Sequence, residues 1–311
     1  MLNLVSGLRD SPAMKTRTFS SPGPVDLRLT LGPLRHGHDD PTIRLGSAEA
    51  LRAVRTPMGP ATIHLVVRSG EIAARAWGPG SEWALDRAPD LVGANDDPEA
   101  FSTDHPLVRR LHRRFRGLRL CCSGTMLDQL VPTILEQKIT SREARRSFRA
   151  LVRLYGEPAP GPGDLRLQPS PERLASLPYW AFHPLGVART RAETVRRTCT
   201  LAARLEETAS LAPAEAARRL RTISGIGPWT VGCVVGATHG DPDAVVVGDF
   251  HLPHAVTWAL AGEPRGDDAR MLELLAQFPG QRGRVVRLIV AAGLRPPTTT
   301  YRRRIHRIAA H

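Results

Sequence analysis

Lysine is nearly absent from this chain. Lys15 and Lys138 are the only two, although Lys and Arg together number 43 among 311 residues. None stands between Leu220 and Leu260, the stretch that carries the most specific motifs. Cysteine is also scarce: Cys121, Cys122, Cys199 and Cys233 form no C-x-x-C pair and no His/Cys cluster. Adjacent Cys121 and Cys122 make a poor chelate, so zinc and iron–sulfur readings are weak and reduced intracellular thiols fit better. No apolar run approaches the length of a membrane span. The run before Arg9 and Asp10 is too short for a secretory signal. The expectation is a soluble, cytoplasmic protein with no metal, no cofactor and no membrane partner.

What the chain does have is base. Acids number 30, which leaves a formal charge of +13 and a pI near 11.0. Arginine-biased codon usage explains the Arg:Lys ratio but not this excess, and a polyanion such as nucleic acid is the partner it implies. At this length two domains of ordinary size are expected.

Residues 1–16 read as a disordered leader, with Met14 an alternative start. Residues 17–95 read as a small β-rich α+β accessory domain. Within it, residues 25–31 alternate with period two, as a half-buried strand does. Residues 61–68 and 71–77 flank Ser69-Gly70 as a hairpin, and residues 47–54 read as a short helix. His36 and His38 lie in a Gly/Asp-rich loop and read as solvated. Composition shifts near residue 95, and residues 96–295 are helical in character. Arg109, Arg110, Arg113, Arg114, Arg116 and Arg119 form a run without acid that reads as a solvated helix face.

Further on, residues 126–137 carry a buried helical stripe interrupted by Pro132. Thr140-x-x-Glu143 is a capping box for a helix that Gly156 ends. Glu136 to Ile139 thus forms a polar corner between two helices. Residues 158–171 are a Pro/Gly-rich connector, Ser170-Pro171-Glu172 opens a short helix, and residues 189–205 read as one long amphipathic helix. Residues 296–311 form a basic tail.

The segment 213–240 reads as helix, hairpin, helix, with Gly225-Ile226-Gly227-Pro228 at the turn. Two glycines permit a tight turn and close backbone approach, and the next helix presents free N–H groups to an anion. Ile226 reads as the buried plug of the turn. Twenty residues past Trp229, Asp249 ends an apolar run at the mouth of a helix. It reads either as a plain N-cap or as a catalytic carboxylate kept ionised by the helix dipole.

Residues 222–231 (TISGIGPWTV) and 247–252 (VGDFHL) resemble the helix-hairpin-helix DNA glycosylase superfamily, nearest its 3-methyladenine DNA glycosylase II branch. Residues 134–140 (ILEQKIT), 154–157 (LYGE), 185–187 and 191–193 extend the likeness over most of residues 100–295. The resemblance implies an all-α glycosylase domain behind the β-rich region. It also implies a monomer that excises damaged bases from double-stranded DNA. It makes Asp249 the catalytic residue and Trp229, Cys233 and Gln281 the base pocket. It assigns DNA contact to Gln137, Lys138, Gly225, Ile226, Gly227, Thr230 and Arg282. Cys233 and Gln281 depart from the family, which places aromatics there. Lys138 stands where the family has an apolar wedge. Trp229 occupies the place of the Schiff-base lysine of bifunctional relatives, which favours hydrolysis over lyase chemistry. Alkylated purines are the substrate the branch implies. Other lesions, or DNA binding without catalysis, are the alternatives.

Overall fold

The computed structural model describes residues 14–297. Most of the leader and the tail arginines after residue 297 therefore lie outside the described residues. Five antiparallel strands come first: β1 (Lys15–Ser20), β2 (Ile43–Leu45), β3 (Glu49–Thr56), β4 (Gly59–Arg68) and β5 (Glu71–Trp77). Their order across the sheet is β1-β5-β4-β3-β2. The β4–β5 turn has both Ser69 (φ 47°) and Gly70 (φ 87°) in the left-handed region, the geometry that matches the twist of a two-residue hairpin. Helices α1 (Leu27–Thr30), α2 (Ser81–Asp86) and α3 (Ala88–Leu91) accompany the sheet. The chain is an α+β protein in which helices dominate after residue 105.

Several expectations fail here for identifiable reasons. Lys15 and Thr16, assigned to the leader, pair with Ala76 and Arg75 as part of β1. Residues 25–31 form a helical turn instead of a strand. The Asp26 carboxylate accepts from Leu29 N at 3.0 Å, and Leu27 and Leu31, four apart, are both buried, so a pattern fitting both periods is decided by the cap. Residues 47–54 form strand β3 instead of a helix. It is hydrogen-bonded on both edges and covered on both faces. Ala50 and Val54 pack into the sheet's main core, whereas Leu51 and Ala53 pack with Trp77, Leu165 and Leu167. A strand buried on both faces loses the alternation that identifies one. Part of the Pro/Gly-rich connector supplies that second cover.

The helical part contains α4 (Pro106–Arg114), α5 (Leu127–Glu136), α6 (Ser141–Tyr155), α7 (Pro171–Ser176), α8 (Arg189–Thr200) and α9 (Ala202–Glu207). It continues with α10 (Pro213–Arg221), α11 (Pro228–His239), α12 (Leu252–Ala261), α13 (Asp268–Leu275) and α14 (Arg282–Ala291). Residues 189–205 are therefore two helices, broken at Leu201. The capping box is formed: Glu143 N donates to Thr140 Oγ1, and Thr140 N donates to the Glu143 carboxylate. The helices build two cores. One runs from Met126 to Val235 and includes Ile226; the other joins Val108, Leu111 and Leu118 to apolar residues of α12–α14. Arg119 is the exception in its arginine run. It is 2% exposed and donates to the carbonyls of Pro24, Gly93 and Asp96. His36 is also no solvated loop residue, since its ring lies edge-on to Phe148 at 5.1 Å. On the helical side the sheet is held by a buried ion pair, Arg52 of β3 to Asp128 of α5, at 2.8 Å.

Candidate nucleic-acid interface and active site

Helices α10 and α11 are joined by residues 222–227, and each residue of that turn is set by a specific contact. Gly225 has φ 94°, and a Cβ there would stand 2.5 Å from Thr194 Oγ1, so only glycine fits. Ile226 points into the main helical core. Gly227 is the N-cap of α11 and is not capped by any side chain. A Cβ there would meet nothing within 4 Å, so its outer face is open. The α11 N-terminus thus presents backbone N–H groups and the positive end of a twelve-residue helix to that open side.

Two side chains brace the turn from behind. Gln137 Nε2 donates to Gly225 O and to Thr230 Oγ1, each at 2.9 Å. Arg197 of α8 donates to Ser224 O at 2.8 Å. Gln137 and Thr230, both assigned to DNA contact from the sequence, are brought together here as a brace that ends on the hairpin. The neighbouring Lys138 is exposed and has φ 58°, an uncommon backbone state for a residue with a Cβ. No ion-pair partner for it is found among the described residues.

Asp249 sits between Gly248 (φ 86°) and the start of α12. Its Oδ1 accepts from the backbone N–H groups of His251 and Leu252, both at 2.8 Å. Its Oδ2 accepts from the Trp229 indole Nε1–H at 3.0 Å. Trp229 belongs to the first turn of α11, so one side chain connects the carboxylate to the hairpin. The preceding loop is fixed too, because Gly248 N donates to Asp268 Oδ2 at 2.9 Å. The N-cap of α12 is His251, so Asp249 stands two residues ahead of the capping position expected of it; it accepts from the N–H groups of the cap residue and of Leu252 and remains half-exposed. All three donors are neutral, and neutral donors hold a carboxylate in place without cancelling its charge.

Cys233 lies one turn beyond Trp229 on α11. Burial pushes its thiol well up from the ordinary range, and the nearby carboxylates of Glu136 and Asp249 push it further, so the group is a neutral thiol. Gln281 is the N-cap residue of α14, and its Oε1 accepts from Arg284 Nε at 2.6 Å. Arg282 donates from Nε to Asp243 Oδ1 at 2.9 Å and pairs with the other oxygen as well. Its guanidinium is thereby committed to Asp243, which this pairing holds below the usual carboxylate range. No hydrogen bond brings Gln281 or Arg282 to Asp249.

Phe250 is, with Trp180 and Phe182, one of the aromatics the sequence offers in place of those missing at Cys233 and Gln281. It is 76% exposed beside Asp249 and stands edge-on to His251 and His254, with ring centroids 4.9 and 6.0 Å apart. Adjacency to Asp249 was the available signal. Of the other two, Trp180 is 65% exposed and Phe182 is buried in the main core. Among the described residues, no group of three or more His, Cys, Asp or Glu is arranged to hold a metal ion, and no helix is long and apolar enough to cross a membrane.

The arrangement of a five-stranded sheet followed by helices is a fold shared with solved DNA glycosylases. The 3-methyladenine DNA glycosylase of Archaeoglobus fulgidus superposes with a TM-score of 0.72 at 19% identity, covering 88% of this chain and 97% of that one. The Clostridium acetobutylicum 8-oxoguanine glycosylase/lyase, in complex with duplex DNA, gives 0.68 at 13% identity over 92% and 98%. A curated protein of Bacillus subtilis (strain 168), YfjP, carries the provisional name DNA-3-methyladenine glycosylase. It is 26% identical over 144 residues, which are 45% of this chain and 49% of that protein. The match therefore spans about half the length of that relative. No protein-family model matches.

Proposed function

We propose that this protein is a monofunctional DNA glycosylase of base excision repair that hydrolyses the N-glycosidic bond of alkylated purines, 3-methyladenine and 7-methylguanine, flipped out of duplex DNA. One observation carries the reading: an ionisable carboxylate, Asp249, is held by three neutral N–H donors and tied by Trp229 to the open glycine hairpin. The hairpin and the α11 N-terminus would grip the phosphate backbone, a sequence-independent and salt-sensitive contact. Flipping the target costs a few kcal/mol, less at a lesion. As the base departs, positive charge builds on the sugar, and the Asp249 carboxylate would stabilise it while a water adds at C1′ and gives up its proton to that carboxylate. An alkylated purine is already cationic and leaves as a neutral base without acid assistance.

Hydrolysis is favoured over lyase chemistry because Trp229 fills the position of a Schiff-base lysine. Of the two lysines, Lys15 is paired with Glu82 at the sheet edge. Purified protein should release 3-methyladenine and 7-methylguanine from methylated duplex DNA and leave abasic sites without strand breaks. Borohydride trapping of a covalent protein–DNA adduct would overturn the monofunctional reading. A second reading, excision of other lesions, is favoured by the non-aromatic Cys233 and Gln281. A panel of duplexes carrying single oxidised or deaminated bases discriminates the two.

A further inference from the structure

We infer that Glu136 is a second carboxylate of the base pocket, positioned by His36 from the sheet domain, and that it selects for a leaving base carrying positive charge. This rests on the glycosylase reading above. Glu136 ends α5, and the next residue, Gln137, is bonded to Gly225 O and Thr230 Oγ1, which pins that helix end against the first turn of α11. Trp229 and Cys233, four residues apart, share one face of α11; Trp229 bonds Asp249, and its neighbour Thr230 holds Gln137, so the end of α5 that carries Glu136 and the Asp249 carboxylate meet the same first turn.

Helix stability does not account for a glutamate at this place. A carboxylate in the last turn faces the negative end of the helix dipole. What holds it is His36, whose Nδ1 lies 3.2 Å from Glu136 Oε1. The His36 side chain is 10% exposed and that of Glu136 31%, so the histidine backs the acid while the acid keeps an open edge. His36 is itself fixed, by Phe148 against its ring and by its backbone N–H, which donates to Asp40 Oδ2 at 2.7 Å. Its Nε2 is buried without a partner. With Nδ1 as the donor to Glu136, the imidazole orients the carboxylate. Carboxylates on two sides of one pocket attract a cationic purine over a neutral one of the same shape.

The test compares duplexes carrying 2′-fluoro-7-methylguanosine, cationic and slow to hydrolyse, with its neutral 7-deaza-7-methyl isostere. Wild-type full-length protein should bind the cationic duplex more tightly. Glu136→Gln should reduce that preference about tenfold, the size of one lost charge contact in a partly screened pocket. Its affinity for the neutral duplex should not change. His36→Leu should reduce the preference similarly, and His36→Asn, which keeps a donor near Nδ1, should restore most of it. Equal loss on both duplexes, or an unchanged preference in Glu136→Gln, overturns the role of Glu136 alone. Failure of the wild type to release 7-methylguanine from an ordinary substrate would instead overturn the glycosylase reading on which it rests.

Discussion

Two aspartates, both accepting backbone N–H groups, have opposite fates in this molecule. Asp96 is nearly buried, with 9% of its side chain exposed. Both its oxygens are bonded by the Arg284 guanidinium, which is 2% exposed, and Leu120 N donates to it as well. Asp249 receives as many donors, but all are neutral and the group stays at the surface. A charge cancelled by a buried cation does structural service; a charge held by dipoles remains available to a developing cation. The difference lies in the donor, not in the acid.

Breaking the structural aspartate should have the largest effect. Asp96→Ala leaves Arg284 buried without its partner and should cost about 3–5 kcal/mol in denaturant unfolding, because an uncompensated buried charge is what such a deletion creates. Asp249→Asn should leave the unfolding midpoint close to wild type and DNA binding intact, yet lower base release by on the order of 10²–10³-fold, the usual cost of removing preorganised charge stabilisation. Unchanged release in that variant would sink the proposed mechanism.

The comparison is sharpened by the hairpin glycines. Gly225→Ala places a methyl into Thr194 at a left-handed φ and should cost roughly 1–3 kcal/mol of stability. Gly227→Ala meets open space, so it should hardly alter stability while weakening DNA binding for all sequences alike, as measured by fluorescence anisotropy. Trp229→Phe removes one donor to Asp249 and should slow release by about tenfold, the lower range for a hydrogen bond to a charged group. The smallest effect is expected for Arg282→Ala. Its pair with Asp243 is partly exposed, and such pairs contribute about 0.2–1 kcal/mol.

Legibility followed how local each cause was. The glycine hairpin, the Thr140–Glu143 capping box and the turn at Ser69-Gly70 depend on neighbours within a few residues, and the sequence displays them directly. Strand β3 was read as a helix because its covering residues, Leu165 and Leu167, lie more than a hundred residues away. The run from Arg109 to Arg119 looked uniform, and nothing in its spacing marked Arg119 as the one whose guanidinium would be enclosed by three carbonyls. Gln137 was recognisable as a residue of the polar corner; that its amide ends on the hairpin required the fold. Glu136 is legible as part of the same corner, but only the fold brings His36 beside it.

By itself, the sequence determined the strongly basic surface chemistry, the glycine turn, the scarcity of lysine and the spacing of Trp229 from Asp249. These are properties of composition and of short-range backbone geometry. Tertiary structure alone decided which charges are cancelled and which remain, because that depends on the groups that distant segments bring within hydrogen-bonding reach. It joined the indole N–H of Trp229 to Asp249, set Arg284 over Asp96, and carried His36 across from the sheet to Glu136.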